Sequence, residues 1–456
     1  MRQISRLRFD ALAAYTRSPL VATLSHELGW FEWPDSRLIA ALLVDTDDEY
    51  SAVILAPDLN ERFRWIAMTH FHSVPEQVLP ELAALAEGLA KDLDEVRQQG
   101  DEQAVAMDLF APVRPAERLH PDFLQLSTHA GYGPARALIE PMMRWHEDGD
   151  GNFVEQFQTT GFDTRMWELY LFAVITEAGL VLDRTHVVPD FVGRGPNGDV
   201  CIEATSINPS RDRKGQLLDG PPRDTPESQQ SYVQDYLPIR YAGPLTAKLS
   251  KRYWEQPHVD GKPLIFAIQD FQEPLSMTWT RSALPTYLYG MAHEPHRRSD
   301  GSLEIRAVPV ASHTWGSKEV QSGFFSLPGA ENVSAVLFNS SGTISKFNRM
   351  GVAAGFGPLN VTLIRRGVAA DPDPNASEPT SFVHIVGEGY PESWIEGTDV
   401  YHNPHATHPL DPEMLPGAAH HRLMDDGQVE TTAPRWQPLS SVTSIVVLPD
   451  RSADLP

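Results

Sequence analysis

The tightest constraint on this chain lies between Leu180 and Thr205, where three β-prone runs follow one another with little chain between them. Leu180 to Asp183 and Val187 to Val192 are rich in branched apolar residues, and Asp199 to Thr205 reads Asp-Val-Cys-Ile-Glu-Ala-Thr. Gly195-Pro196-Asn197-Gly198-Asp199 is a strong turn signal, so the second and third runs are expected to pair as a tight hairpin. Upstream, Asp163 is placed to cap an apolar helical run reaching about Ala178, with Gly179 as its stop. Downstream, residues 206 to 228 are polar and broken by Pro and Gly, as in an exposed loop. Gln229 to Trp254 holds helical material interrupted near Pro238 and Pro244, and Pro263 to Ile268 reads as a buried strand. The order is helix, three strands, helix, strand.

Around this segment, 456 residues leave room for two or three domains. Arg37 to Asp45, Glu49 to Pro57 and Arg62 to Phe71 read as a small meander, followed by an amphipathic helix from about Pro75 to Gln98. The Pro-rich, aperiodic stretch from 110 to 130 marks a boundary. Leu303 to Val310 and Val333 to Phe338 are further strands. After Gly351 the chain is rich in Pro, Gly, Asn and His, with isolated strands at Val361 to Ile364, Phe382 to Val386 and Ile445 to Leu448. The expectation is a mixed α/β (α+β) protein: an N-terminal α/β domain at 1–125, a core at 126–350, and an irregular C-terminal lobe at 351–456 packed on that core.

Between residues 163 and 205 three acids are placed for a shared chemistry. Glu168 lies in the helical run, Asp190 follows Pro189 at a strand start, and Glu203 sits in the third run. The hairpin brings Asp190 and Glu203 close on adjacent strands, and Glu203 shares a strand face with Thr205 because side chains alternate with period two. Facing carboxylates in a partly apolar site repel unless a proton or a cation neutralises them. A divalent cation needs oxygen ligands converging from different elements on a rigid frame. Such an ion lowers the pKa of its water and stabilises charge on phosphate oxygens.

That order, with Glu168, Pro189-Asp190 and Glu203-Ala204-Thr205 at these places, resembles the PD-(D/E)XK superfamily, the restriction-endonuclease-like nucleases, over roughly residues 160 to 275. The resemblance implies an αβββαβ core whose motif acids bind Mg²⁺ or Mn²⁺ and hydrolyse phosphodiester bonds. Asp190 matches the first motif acid, Glu203 the second, and Glu168 the helix glutamate of many members. All three would hold the metal. The family's lysine, two residues after the second acid, is Thr205 here, which carries no positive charge. Several members move that lysine to a neighbouring helix. Lys248 is the candidate, with Lys251 second, and at a spacing of three only one of them is expected to face the site. The implied function is a nuclease acting on nucleic acid, DNA first, in restriction, repair or antiphage defence. The alternative is a catalytically inactive scaffold that binds a protein or nucleic-acid partner. A third reading, a glycosidase using the paired carboxylates, needs a carboxyl separation that sequence does not supply.

Composition bears on these readings. A formal charge of −24 opposes phosphate binding unless basic residues gather locally. Candidate groups are Arg211, Arg213 and Lys214; Arg240, Lys248, Lys251 and Arg252; Lys346 and Arg349; and Arg365 and Arg366, each read first as a solvated face. Cys201 is the only cysteine and reads as a small core residue. No run of 18 or more apolar residues occurs, and no apolar stretch follows the basic N-terminus, so a cytoplasmic protein is expected. His402, His405 and His408 are spaced by three with His420 and His421 nearby, but Pro404 and Pro409 argue for a loop rather than a zinc-binding helix. His186 lies near enough to Asp190 to be weighed as a proton-transfer aid. Ser340-Ser341-Gly342-Thr343-Ile344-Ser345-Lys346 offers hydroxyls and amides after a strand, without P-loop glycine spacing.

Overall fold

The computed structural model describes residues 1–102, 108–146, 151–212, 214, 216–300, 303–358, 360–373, 376 and 378–448. Arg213 of the first basic group lies outside them. Helix makes up 34% and strand 30%, spread over several sheets, so the class is mixed α/β.

The N-terminal sheet is an antiparallel meander of β1 (Arg2–Ile4), β2 (Ser25–Trp33), β3 (Leu38–Asp45), β4 (Tyr50–Pro57) and β5 (Phe63–Met68), in that order. Alternation sorts its side chains into two cores. Leu38, Ala40 and Leu42 face Val78, Leu82 and Ala86, while Ile39, Ala41 and Leu43 face Ile4, Phe9 and Ala13. The second layer is α1 (Arg6–Ala13), followed by α2 (Pro19–Leu24); the first is α3 (Pro75–Leu89). The helix expected to reach Gln98 ends at Leu89 and resumes only as α4 (Leu93–Val96).

The stretch read as a boundary is instead structured. It contributes α5 (Pro121–Thr128), and α6 (Gly133–Trp145) and α7 (Phe153–Gln158) follow it. Leu119, Phe123 and Leu126 are buried in the same core as the central sheet. Few apolar residues stand in that stretch; Leu119, Phe123 and Leu126 point inward while Val113 stays exposed.

α8 (Phe162–Glu177) is apolar almost all round, and a helix of that kind must be covered on every side. Asp163 does not cap it: Gly161 holds the cap position and Asp163 sits in the first turn. Gly179 ends it at φ +72°, a conformation side chains disfavour. Next come β6 (Val181–Leu182), β7 (Phe191–Gly195) and β8 (Gly198–Ile207), pairing antiparallel in sequence with a two-residue turn at Pro196–Asn197. After α9 (Pro226–Ser231) and a wide turn at Tyr232–Tyr236 comes α10 (Leu237–Leu249). The interruption expected near Pro238 is that wide turn, which ends two residues before it; none occurs at Pro244. Pro238 occupies an early position where no N–H is needed, and the helix continues through Pro244. β9 (Leu264–Asp270) then pairs parallel with β8.

Beyond β9, α11 (Ala283–Tyr289) leads to two hairpins, β10 (Met291–Arg297) with β11 (Leu303–Pro309) and β12 (Ser312–Trp315) with β13 (Lys318–Gln321). β14 (Ala335–Asn339) lies parallel beside β9, and both are buried on every residue, as strands covered on two faces must be. α12 (Ile344–Ala353) follows, then β15 (Val361–Ala369), β16 (Thr380–Val386), β17 (Thr398–His402), β18 (Ala419–Leu423), β19 (Val429–Thr432) and β20 (Pro438–Val447). The central sheet runs β19-β18-β17-β14-β9-β8-β7-β6, and a smaller one runs β16-β15-β20. The last hundred residues are therefore no irregular lobe. Three of their strands complete the central sheet beside β14. They escape a pattern search because they are short and because buried polar residues such as Thr398, Asp399 and His402 mask them.

Candidate active site

The candidate site forms where β7 leaves β8. Phe191 pairs with Ile202, and there the ladder between them stops. One residue beyond, side chains replace it: the Asp190 N–H donates to Glu203 Oε2 at 3.2 Å, and the Ala204 N–H donates to Asp190 Oδ2 at 2.7 Å. The strand alternation explains why Ala204 is free for this. The Cys201 N–H bonds Pro263 O and the Phe271 N–H bonds Ile207 O, so odd-numbered residues of β8 address β9. The N–H and carbonyl of Ala204 therefore point toward the side that β7 has vacated.

The two faces of the sheet carry different helices. On one, Thr164 of α8 touches the Ser206 hydroxyl at 3.2 Å. On the other, Glu203 Oε1 accepts from Tyr253 Oη at 2.7 Å and is ion-paired with Lys248 Nζ from α10. Glu203 is buried and Tyr253 stacks edge-on against Phe266, the register partner of Glu203. Lys251 is exposed three residues on, so of the two candidate lysines Lys248 meets the acid. Thr205, on the Glu203 face, is buried against the helix and brings no charge.

Glu168 on α8 is buried and bonded to Arg165 at 2.5 Å. Burial raises its pKa first, Arg165 and Lys248 oppose that, and Glu203 adds to it. Glu168 thus feels the charges on the far helix while keeping its own partner. Asp190 is open to solvent, yet protein crowds its carboxyl group. That partial desolvation, with the charges of Glu203 and Glu168, pushes its pKa up to about 7. Asp190 and Glu203 meet directly; Glu168 stands further off. Among the described residues no three His, Cys, Asp or Glu side chains gather closely enough to count as a metal-holding group.

Tyr253 had no signal in the sequence beyond its place one turn past Lys248. His186 does not touch the acids; it stacks on His258 at 3.7 Å, whose ring bonds the Val188 carbonyl, bracing the chain before Asp190. His402 and His420 bond one another at 2.9 Å across neighbouring strands, and His421 bonds Asp399, which Arg281 also pairs. Lys346, Arg349 and Arg365 are fully buried on Glu392 and Glu396 and form no surface patch. Cys201 is a buried free thiol. No helix among the described residues is long and apolar enough to cross a membrane. No family model, curated protein or solved structure matches the chain.

Proposed function

We propose that the split between β7 and β8 is the active site of a divalent-cation-dependent nuclease with a restriction-endonuclease-like core. One observation carries the reading: Asp190, Glu203 and Lys248 come from three separate elements and meet where the sheet opens. The order α8, β6, β7, β8, α10, β9, with β9 parallel to β8, supports it.

The donor set suits a hard cation. Asp190 is solvent-open and held uneasily against two other acids, Glu203 keeps Oε2 toward the split, and the Ala204 carbonyl lies on the same edge. Asp190 and Glu203 would hold Mg²⁺ or Mn²⁺, with Glu168 turning in from α8. The bound ion would supply an acidified water and neutralise charge on the phosphate. The protein's own residues do the rest. Tyr253 and Lys248 fix the Glu203 carboxylate, and Lys248 carries the positive charge that Thr205 lacks. Nucleic acid, DNA first, is the substrate class, and restriction, repair or antiphage defence is the setting in which such an enzyme acts.

The test compares purified wild type with Glu203→Ala and Lys248→Ala on single- and double-stranded DNA and RNA, with Mg²⁺ or Mn²⁺. Cleavage by wild type should fall about 100-fold or more in each variant. Equal products from all three proteins reject the assignment. Absence of cleavage and of calorimetric metal binding by wild type would favour the inactive scaffold instead.

A further inference from the structure

We propose that the crevice at the carboxyl ends of β8, β9 and β14 is a second ligand site, taking a phosphorylated small molecule of nucleotide size. It lies apart from the strand split and does not rest on the nuclease reading. The crevice has a volume of about 1220 Å³, and Pro209, Phe271 and Ser340, each just past the end of one of these strands, line it. Crevices at the carboxyl ends of parallel strands are where open α/β sheets hold ligands.

One wall is built for an anion. β14 passes through Ser340-Ser341-Gly342-Thr343 directly into α12, making the hydroxyl-rich stretch a strand–turn–helix. The first turn of α12 contains no acidic residue, and Thr343 at its cap makes no side-chain capping bond. The positive end of the helix is left uncompensated. By contrast α8, whose N-terminus also reaches the crevice, carries its own acid there in Asp163.

Ser341 is the independent sign. It lines the crevice and is only 4% exposed, yet its hydroxyl oxygen has no hydrogen-bond partner among the described residues. Buried hydroxyls are ordinarily bonded, so this one is short of a partner that a ligand can supply. Arg366 lines the same crevice from β15, is exposed, and has no ion pair among the described residues. Lys346, which a P-loop would send to the phosphate, turns inward to Glu392.

The rest of the lining carries both signs, with Arg114, Arg118, His120 and Arg211 beside its acids. Asp122 and Asp163 are among those acids; burial and the Asp122 charge push the Asp163 pKa up to about 6. Such carboxyl groups accept N–H donors, as on the edge of a nucleobase. Phe271, Met166 and Leu217 supply apolar surface lining the same crevice. A phosphate beside Ser341 and Arg366 and a hydrogen-donating ring beside Asp163 would satisfy both groups.

The test is calorimetric titration of the full chain with AMP, GMP, their unphosphorylated nucleosides, inorganic phosphate, and an oligonucleotide with or without a 5′-phosphate. Wild type should bind a mononucleotide at least about tenfold more tightly than its nucleoside. A preference for the phosphorylated oligonucleotide over the free nucleotide would assign the phosphate to a nucleic-acid end, within the proposal. Arg366→Ala should weaken binding about tenfold or more. Ser345→Glu should abolish it without lowering Tm, because an acid in the first helical turn favours the helix while repelling an anion. Glu203→Ala should bind as wild type does. The proposal is overturned if no phosphorylated probe binds at millimolar concentration, if nucleoside binds equally, or if neither Arg366→Ala nor Ser345→Glu changes the affinity. Loss in Glu203→Ala alone would also overturn it, by moving the binding to the strand split.

Discussion

Asp190 is asked to keep a negative charge beside two others while protein crowds out part of its water. An acid whose folded pKa is raised binds its proton more tightly when folded. Its stabilising effect is therefore greatest below the unfolded value, 3.8, and is lost as pH rises through about 7. Stability of the metal-free protein should thus decline across that window and level off above it. Solvent at this exposed residue screens much of the effect, leaving roughly 1 kcal/mol. Asp190→Asn, which keeps an oxygen for the Ala204 N–H, should unfold at a higher temperature than wild type at pH 8. It should show no such advantage near pH 4, and it should not cleave. A thermal melt at the two pH values decides this, and an equal Tm difference at both would remove the charge conflict from the account. Adding Mg²⁺ at pH 8 should raise the Tm of wild type and not that of Asp190→Asn, because only wild type keeps both carboxylates.

At the scale of elements, close approach decides more than propensity does. α12 crosses α6 at Gly351, where an added Cβ would lie 2.3 Å from the Pro134 carbonyl oxygen. Backbone cannot yield as a side-chain tip can, so Gly351→Ala should cost about 1–3 kcal/mol, read as a lower midpoint in urea. An unchanged midpoint would mean the two helices slide apart freely. The same scale shows what could be read beforehand. Glu203 was legible because alternation in Val200 to Thr205 fixes its face, and the Pro196–Asn197 turn fixes its neighbour strand. Asp190 followed from that register. Lys248 could be named, but choosing it over Lys251 needed the helix's rotation against β8. Tyr253 was out of reach, since it is an aromatic in a short turn that any core could have claimed. Asp163 misled because it is a good capping residue, while the tight turn from Thr159 to Phe162 sets the helix start two residues earlier. The cleft residue Ser341 was visible as part of a motif, whereas its missing partner is a property of the folded state alone.

For the whole molecule, the meander and the αβββαβ order were readable because each rests on neighbours in sequence. The far half of the central sheet was not, because β14 pairs with β17 across some sixty residues of intervening chain. A chain ending at residue 350 would lack β17, β18 and β19 and the ion pairs of Glu392 and Glu396 with Lys346, Arg349 and Arg365. Removing one side of a buried ion cluster strands the other, which costs about 3–5 kcal/mol on its own. That truncated chain should be insoluble or lack the cooperative melt of the full protein by circular dichroism, and a cooperative melt in it would show the C-terminal strands to be an appendage. The placement of β17 also sets an order of events at the ribosome. While residues up to about 397 emerge, β14, apolar from Ala335 to Phe338, offers a bare strand edge that can join a neighbouring nascent chain as readily as its own late partner. Translation rate through the segment from β14 to β17, and whatever chaperone greets it, should therefore govern how much of this protein a cell recovers in usable form.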